Sequence, residues 1–174
     1  TINYLRHYSI SSLILIFFLL SFVGWLWEVL LHLVSDGIFV NRGVLHGPWL
    51  PIYGFGSILI LTLLYRFRSK PYLLFFMSVI LCGVVEYSTS YYLEVTNGMK
   101  WWDYTGYFLN INGRVCAEGL LVFGLGGVAM TYFLAPVLDN YIRKIDFKVL
   151  VIICVVLISL YIIDSGYSRK YPNV

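Results

Sequence analysis

Apolar residues along this chain fall into five blocks separated by short polar segments. The blocks cover about Ile10–Val34, Pro51–Arg66, Tyr72–Thr96, Arg114–Val137 and Phe147–Ile163. An α-helix needs about 20 apolar residues to cross the roughly 30 Å hydrocarbon core of a bilayer. The first block meets that length with some tilt, and the second lies near the short limit. Pro51 suits the first turn of a helix, where its missing N–H costs nothing. Asp36-Gly37 and Asn97-Gly98 read as stops, and Pro136 is expected to close the fourth helix. The fifth block, rich in Ile, Val and Leu, reads as a lipid-facing outer helix with a loose polar tail from Ser165. The fourth carries Ala117, Gly119, Gly124, Gly126, Gly127 and Ala129, and small residues let helices approach closely in lipid. It is expected at the centre of an all-α polytopic membrane helical bundle of about five transmembrane helices.

Composition reinforces this pattern. The 174 residues are 60% hydrophobic and only 12% charged, whereas a soluble domain is about a quarter charged. Such a chain cannot cover itself in polar groups and uses lipid as solvent. The net charge of +3 is too small to argue for nucleic acid as a partner. Seven of the 12 Lys and Arg residues fall on one side of a five-span layout, which favours an N-in/C-out orientation. Arg66, Arg68 and Lys70 end the second block and read as such topology signals. The chain is expected to form one integral membrane domain over 1–174: hairpin one at about 10–66, hairpin two at about 72–137 and an extra helix at about 147–163. The hairpins look alike, each with an acid-bearing helix, an Asn/Gly/Arg turn and a helix opening on G-x-G, as in a parallel repeat. Cys82, Cys116 and Cys154 are isolated, with no Cys/His metal spacing, so neither a metal nor a cofactor is expected. No cleavable signal peptide is expected either.

The chemistry is concentrated in a few segments. Between the third and fourth blocks runs a stretch from Trp101 to Glu118 that carries two Trp, two acids, an Arg and two Asn. A plain connection needs none of these. Glu28, Glu86, Glu94 and Glu118 sit toward one end of their helices, and Arg42, His46 and Asp103 sit on the connecting loops at that end. The other half of every helix is expected to lack an acid. A charge in the bilayer costs about 2.5–3.5 kcal/mol on insertion scales, so these acids are expected to face partners or water. Arg42 and Arg114 are the obvious partners, since a guanidinium meets a carboxylate with two hydrogen bonds. Arg114 and Glu118, four apart, could pair directly. Trp101, Trp102 and Tyr104 read either as an interfacial belt or as a platform for a cation or sugar. The candidate ligand-binding set is Glu28, Arg42, His46, Glu86, Glu94, Trp101, Trp102, Asp103, Tyr104, Asn112, Arg114 and Glu118. In the plainer reading the acids and arginines satisfy one another and only tie short helices together.

Asn41-Arg42-Gly43, His46-Gly47-Pro48-Trp49, Pro51-Ile52-Tyr53-Gly54-Phe55-Gly56, Glu86-Tyr87 with Glu94, Trp101-Trp102-Asp103-Tyr104, and Asn110-Ile111-Asn112-Gly113-Arg114 with Glu118-Gly119 resemble the bacterial family of CmpB-like, ABC-transporter type IV membrane proteins. The likeness covers about Gly24 to Gly127. It implies a multi-pass permease of the bacterial cytoplasmic (plasma) membrane. The chain has no G-x-x-x-x-G-K-[ST] phosphate loop, so an ATPase would be a separate subunit.

Three functions fit. The favoured one is a permease-like transport protein with an outward-facing charged and aromatic pocket for a small polar or cationic solute. The second is a membrane enzyme acting on a lipid or lipid-linked substrate at the outer leaflet, with His46 or Glu28 as base. The third is a non-catalytic membrane subunit with a structural polar cluster. The expected partners are the lipid bilayer and a small-molecule solute or lipid, and a homo-oligomer is compatible with all three.

Overall fold

The computed structural model describes residues 3–173, and its regular structure is helical. Helix α1 spans Ile10–Asp36, α2 Pro51–Leu63, α3 Pro71–Asn97, α4 Ala117–Ile142 and α5 Phe147–Lys170. The two Gly stops act as the sequence suggests, and two side-chain caps join them. Ser9 caps α1 by accepting the Ser12 N–H at 3.2 Å, and Asp146 caps α5 by accepting the Lys148 N–H at 2.9 Å. Gly37 and Gly98 end α1 and α3 in the left-handed region, at φ 71° and 74°, where a glycine has no Cβ to clash. Helices α1, α3, α4 and α5 are long and apolar enough to cross a membrane. Helix α2 has 13 residues and rises only about 20 Å at 1.5 Å per residue. The chain is thus a helical membrane bundle, with no strand among the described residues.

Three boundaries differ from expectation. Pro136 does not close α4, which runs on to Ile142. In an unbroken α-helix its ring would strike the carbonyl of Tyr132. A π turn over Met130–Leu134, in which the Ala135 N–H reaches back to the Met130 carbonyl, widens the helix just ahead of the proline. Asp139 is therefore helical and fully buried rather than in a loop, which corrects the expectation that acids are confined to one half of the helices. At its other end α4 begins at Ala117 and not at Arg114. The tail is tied down rather than loose: α5 continues to Lys170, and Asn173 donates from its side chain to the carbonyls of Asn41 at 2.8 Å and Gly43 at 3.1 Å.

The chain forms two compact units. The first joins residues 3–6 to Gly56–Val137. On α3 the buried positions are Leu74, Ser78, Cys82, Glu86 and Ser90, a row at steps of four that lies along one face. Glycines of α4 lie against this region. A Cβ on Gly124 would come 2.7 Å from Phe75 and Val79, and one on Gly127 would come 2.7 Å from the Ser78 hydroxyl. The two helices therefore meet through side chain on one and bare backbone on the other. Arg68, expected to mark topology, is 1% exposed. Its guanidinium donates to the carbonyls of Tyr4 at 2.8 Å, Arg6 at 2.9 Å and Leu61 at 2.6 Å. The main chain thus accepts the hydrogen bonds that water would otherwise take.

The second unit joins His7–Phe55 to residues 138–173. Helix α1 packs on α5. A Cβ on Gly54 would meet the Phe17 carbonyl and the Phe17 ring, and one on Gly24 would meet the Tyr53 ring. The first turn of α2 therefore lies close against α1. Asp139, fully buried, accepts from Ser12 Oγ at 2.6 Å and pairs with Arg143 Nε at 2.7 Å.

Candidate functional site

In the first unit the polar cluster is built from the last turns of α3 and the loop that follows. The buried row of α3 changes from apolar to polar at Glu86 and Ser90, so the same face that packs on α4 presents acceptors further along. The loop folds back against those turns instead of standing away from them. Arg114 donates from Nη1 to Ser90 Oγ at 3.0 Å and from Nη2 to Glu94 Oε2 at 2.6 Å. Its guanidinium carbon lies 5.5 Å from the ring centre of Tyr87 and 5.4 Å from that of Tyr91, inside cation–π range. Burial works against the charge on Arg114, but Glu94 and Tyr87 outweigh it, so the guanidinium holds its proton more tightly than usual.

The rest of the loop is hung on the same turns. Tyr104 donates its hydroxyl to Glu86 Oε1 at 3.1 Å, and Glu86 is 4% exposed. Asn112 donates to the Tyr87 hydroxyl at 2.8 Å, and the indole N–H of Trp102 to the Arg114 carbonyl at 3.0 Å. Lys100 Nζ donates to the Asn112 carbonyl at 2.9 Å. Asp103 is exposed and turned onto its own loop: it accepts the backbone N–H of Thr105 at 3.0 Å and the Thr105 hydroxyl. Those bonds hold its carboxyl below the usual range. Trp101 is half-buried. Glu118 is exposed, and the ion pair expected between it and Arg114 is replaced by the one with Glu94. The physical reason is that Arg114 precedes the helix, so helical i,i+4 spacing does not apply to it.

In the second unit Glu28 is held from two sides. Arg42 Nη2 lies 3.3 Å from Oε1, and the Tyr53 hydroxyl donates to Oε2 at 2.9 Å. Trp25, one turn before Glu28, donates its indole N–H to Asn41 Oδ1 at 2.8 Å. The loop that carries Arg42 also carries His46, whose Nε2 lies 2.8 Å from the Tyr171 carbonyl.

The acid that organises this loop is one that sequence reasoning passed over. Asp164 on α5 accepts the backbone N–H groups of His46 at 3.1 Å and Gly47 at 2.8 Å, the Trp49 indole N–H at 2.7 Å and the Ser168 hydroxyl at 2.9 Å. A single acid in an otherwise apolar run is costly in lipid, and that cost was the available signal for it. Asp139 was missed because it was placed in a loop. The structure therefore gathers Glu86, Glu94, Trp102, Tyr104, Asn112 and Arg114 in one unit, and Glu28, Arg42 and His46 in the other.

Chemically, both clusters consist of carboxylates, guanidinium groups, phenols and indoles. Among the described residues no group of three or more His, Cys, Asp or Glu could hold a metal ion. A family model described as Putative ABC-transporter type IV matches residues 15–169 of the chain. Neither a curated protein nor a solved structure matches it.

Proposed function

The chain belongs to the Putative ABC-transporter type IV family, a membrane, transport-related family, and from that membership we propose that it carries a small polar or cationic solute across the bacterial plasma membrane. The observation that supports this reading is Glu86. It is a carboxylate with 4% exposure on a helix able to span a membrane, and a Tyr104 hydroxyl from the neighbouring loop reaches it. An ionisable side chain held on a spanning helix against its insertion cost is a mark of a solute or ion path. Glu86 and Tyr104 would contact the solute, Trp101 and Trp102 would flank it, and Arg114 would fix the loop through Glu94. Glu28 with Arg42 would serve in the same way within its own unit. The energy would come from a separate ATPase subunit, and the N-terminus would face the cytoplasm.

The test is Glu86→Gln in the purified protein, with a panel of small organic cations and polar solutes. The variant should keep the unfolding temperature of the parent and lose the stabilisation that a bound solute gives it. Unchanged stabilisation by solute would overturn the reading. A second reading, a structural subunit without a ligand, draws on the close Arg114–Glu94 pair; it expects Glu86→Gln to misfold instead.

A further inference from the structure

The loop between α3 and α4 is a firmly built knob whose apolar side chains point out. Its backbone closes on itself: the Tyr104 N–H donates to the Gly113 carbonyl at 2.7 Å, Ile111 N–H to Val115 O at 3.0 Å and Arg114 N–H to Ile111 O at 3.0 Å. Leu109 and Asn112 are held at φ 52° and 54°, a region that non-glycine residues seldom adopt. Yet Phe108 is 76% exposed, Leu109 68%, Ile111 55% and Tyr107 51%. From Tyr104 to Asn112 the chain carries no charged residue. A rigid loop that spends backbone strain to hold greasy side chains outward needs an apolar surface for them.

Their depth says which surface. The Phe108 carbonyl accepts the N–H of Ala117, the first residue of α4, at 3.1 Å. A Cβ on Gly83 would meet Leu120, so α4 begins about level with Glu86, and the Tyr104 bond puts the loop at that same level. Helix α3 runs on from Glu86 to Asn97, about 16 Å further at 1.5 Å per residue. The knob thus hangs back beside α3, at the height where the apolar part of α4 begins. A soluble partner would have to lie flush on the bilayer to reach a tip at that height, whereas the lipid around α3 and α4 would meet it directly. The neighbouring Trp101 and Trp102 are of the type that settles at headgroup level.

We propose that Tyr107, Phe108, Leu109 and Ile111 form a lipid anchor that inserts into the interfacial zone of the leaflet and pins this loop beside the helices. The test places a nitrobenzoxadiazole dye on Phe108→Cys, with Ser69→Cys as the control, in full-length protein reconstituted in phosphatidylcholine vesicles. Ser69 is exposed in the turn before α3. Cys82, Cys116 and Cys154 are buried, and unsubstituted protein gives the blank. The dye at 108 should emit to the blue of the dye at 69 and be quenched by nitroxide-bearing lipid but not by aqueous iodide. Quenching by iodide at 108 would show a water-facing tip and overturn the proposal. Protection from both quenchers would also overturn it, since a protein would then cover the tip.

Discussion

The guanidinium of Arg114 reaches back across 20 residues to the carboxylate of Glu94, Nη2 to Oε2 at 2.6 Å. The pair closes a loop that Tyr104, through Glu86, and Asn112, through Tyr87, also tie to α3. The partners are unequal, because the Arg114 side chain is 10% exposed and that of Glu94 39%. Arg114→Ala is expected to cost about 2–3 kcal/mol of stability, since it also strips Ser90 and two tyrosine rings of their cation. Glu94→Gln should cost less, because the amide oxygen still accepts and water replaces the rest. Thermal unfolding of the two detergent-solubilised variants checks the order; equal losses would contradict it.

Asp164→Asn should loosen the loop that carries His46 and Trp49. The amide keeps one acceptor oxygen where the carboxylate has two, so the bonds to Gly47 and Trp49 or those to His46 and Ser168 must weaken. A loss of about 2 kcal/mol is expected, the usual size for hydrogen bonds to a charged group. Hydrogen exchange at the His46 and Gly47 amides measures it. Exchange as slow as in the parent would show that the carboxylate does not hold the loop.

Acid should release the turn at Asp103. Thr105 binds the charged form and lowers the folded pKa of the carboxyl. The stabilisation is then fully present above the unfolded value, about 3.9, and is lost as pH falls through the lower folded value. Protection of the Thr105 amide, measured against the free-chain exchange rate at each pH, should fall as the solution is taken below about pH 4. Thr105→Val removes the hydroxyl bond and should move that fall in protection to higher pH. A midpoint that stays where it was in the variant would sink the assignment.

Arg68→Ala would leave the carbonyls of Tyr4, Arg6 and Leu61 without the donor they share. A cost of about 3 kcal/mol is expected from unmet acceptors and lost packing. Limited proteolysis should then cut near Arg6 well before the helices. Arg68→Lys should rescue only part of the effect, because one ammonium cannot span carbonyls on opposite sides of a planar fork.

Gly124→Ala should separate α3 from α4. The added methyl would sit 2.7 Å from Phe75 and Val79, closer than carbon atoms pack, and overpacking of this kind costs about 1–3 kcal/mol. Gly126→Ala is the control, since nothing lies within 4 Å of a Cβ there. If both variants unfold at the parent temperature, close packing of the two helices at Gly124 is ruled out.

The helices were legible because lipid imposes a simple length and polarity rule, and α1 and α3 announce their ends with Gly37 and Gly98. The course of α4 was not legible. Pro136 reads as a stop, and only a hydrogen-bond shift one turn earlier, invisible in composition, lets the helix pass. Arg68 was misjudged, and Asp164 passed over, for a related reason. A charge at the edge of an apolar run looks solvent-facing until the main chain is seen to wrap it. The partners of Glu28, Glu86 and Glu94 depend on how loops fold back, which spacing along one helix does not specify; that is why Arg114 was matched with Glu118.

The buried row on α3 advances by four residues at a time, slightly more than one helical turn. Orientation and depth are therefore nearly independent variables along it. Four residues inserted between Ser78 and Cys82 would leave Phe75 and Ser78 against the bare backbone of Gly124 and Gly127, yet would lift Glu86 by about 6 Å. The height of the acid could be reset like a mark on a ruler, while the edge it is read against stays where it was.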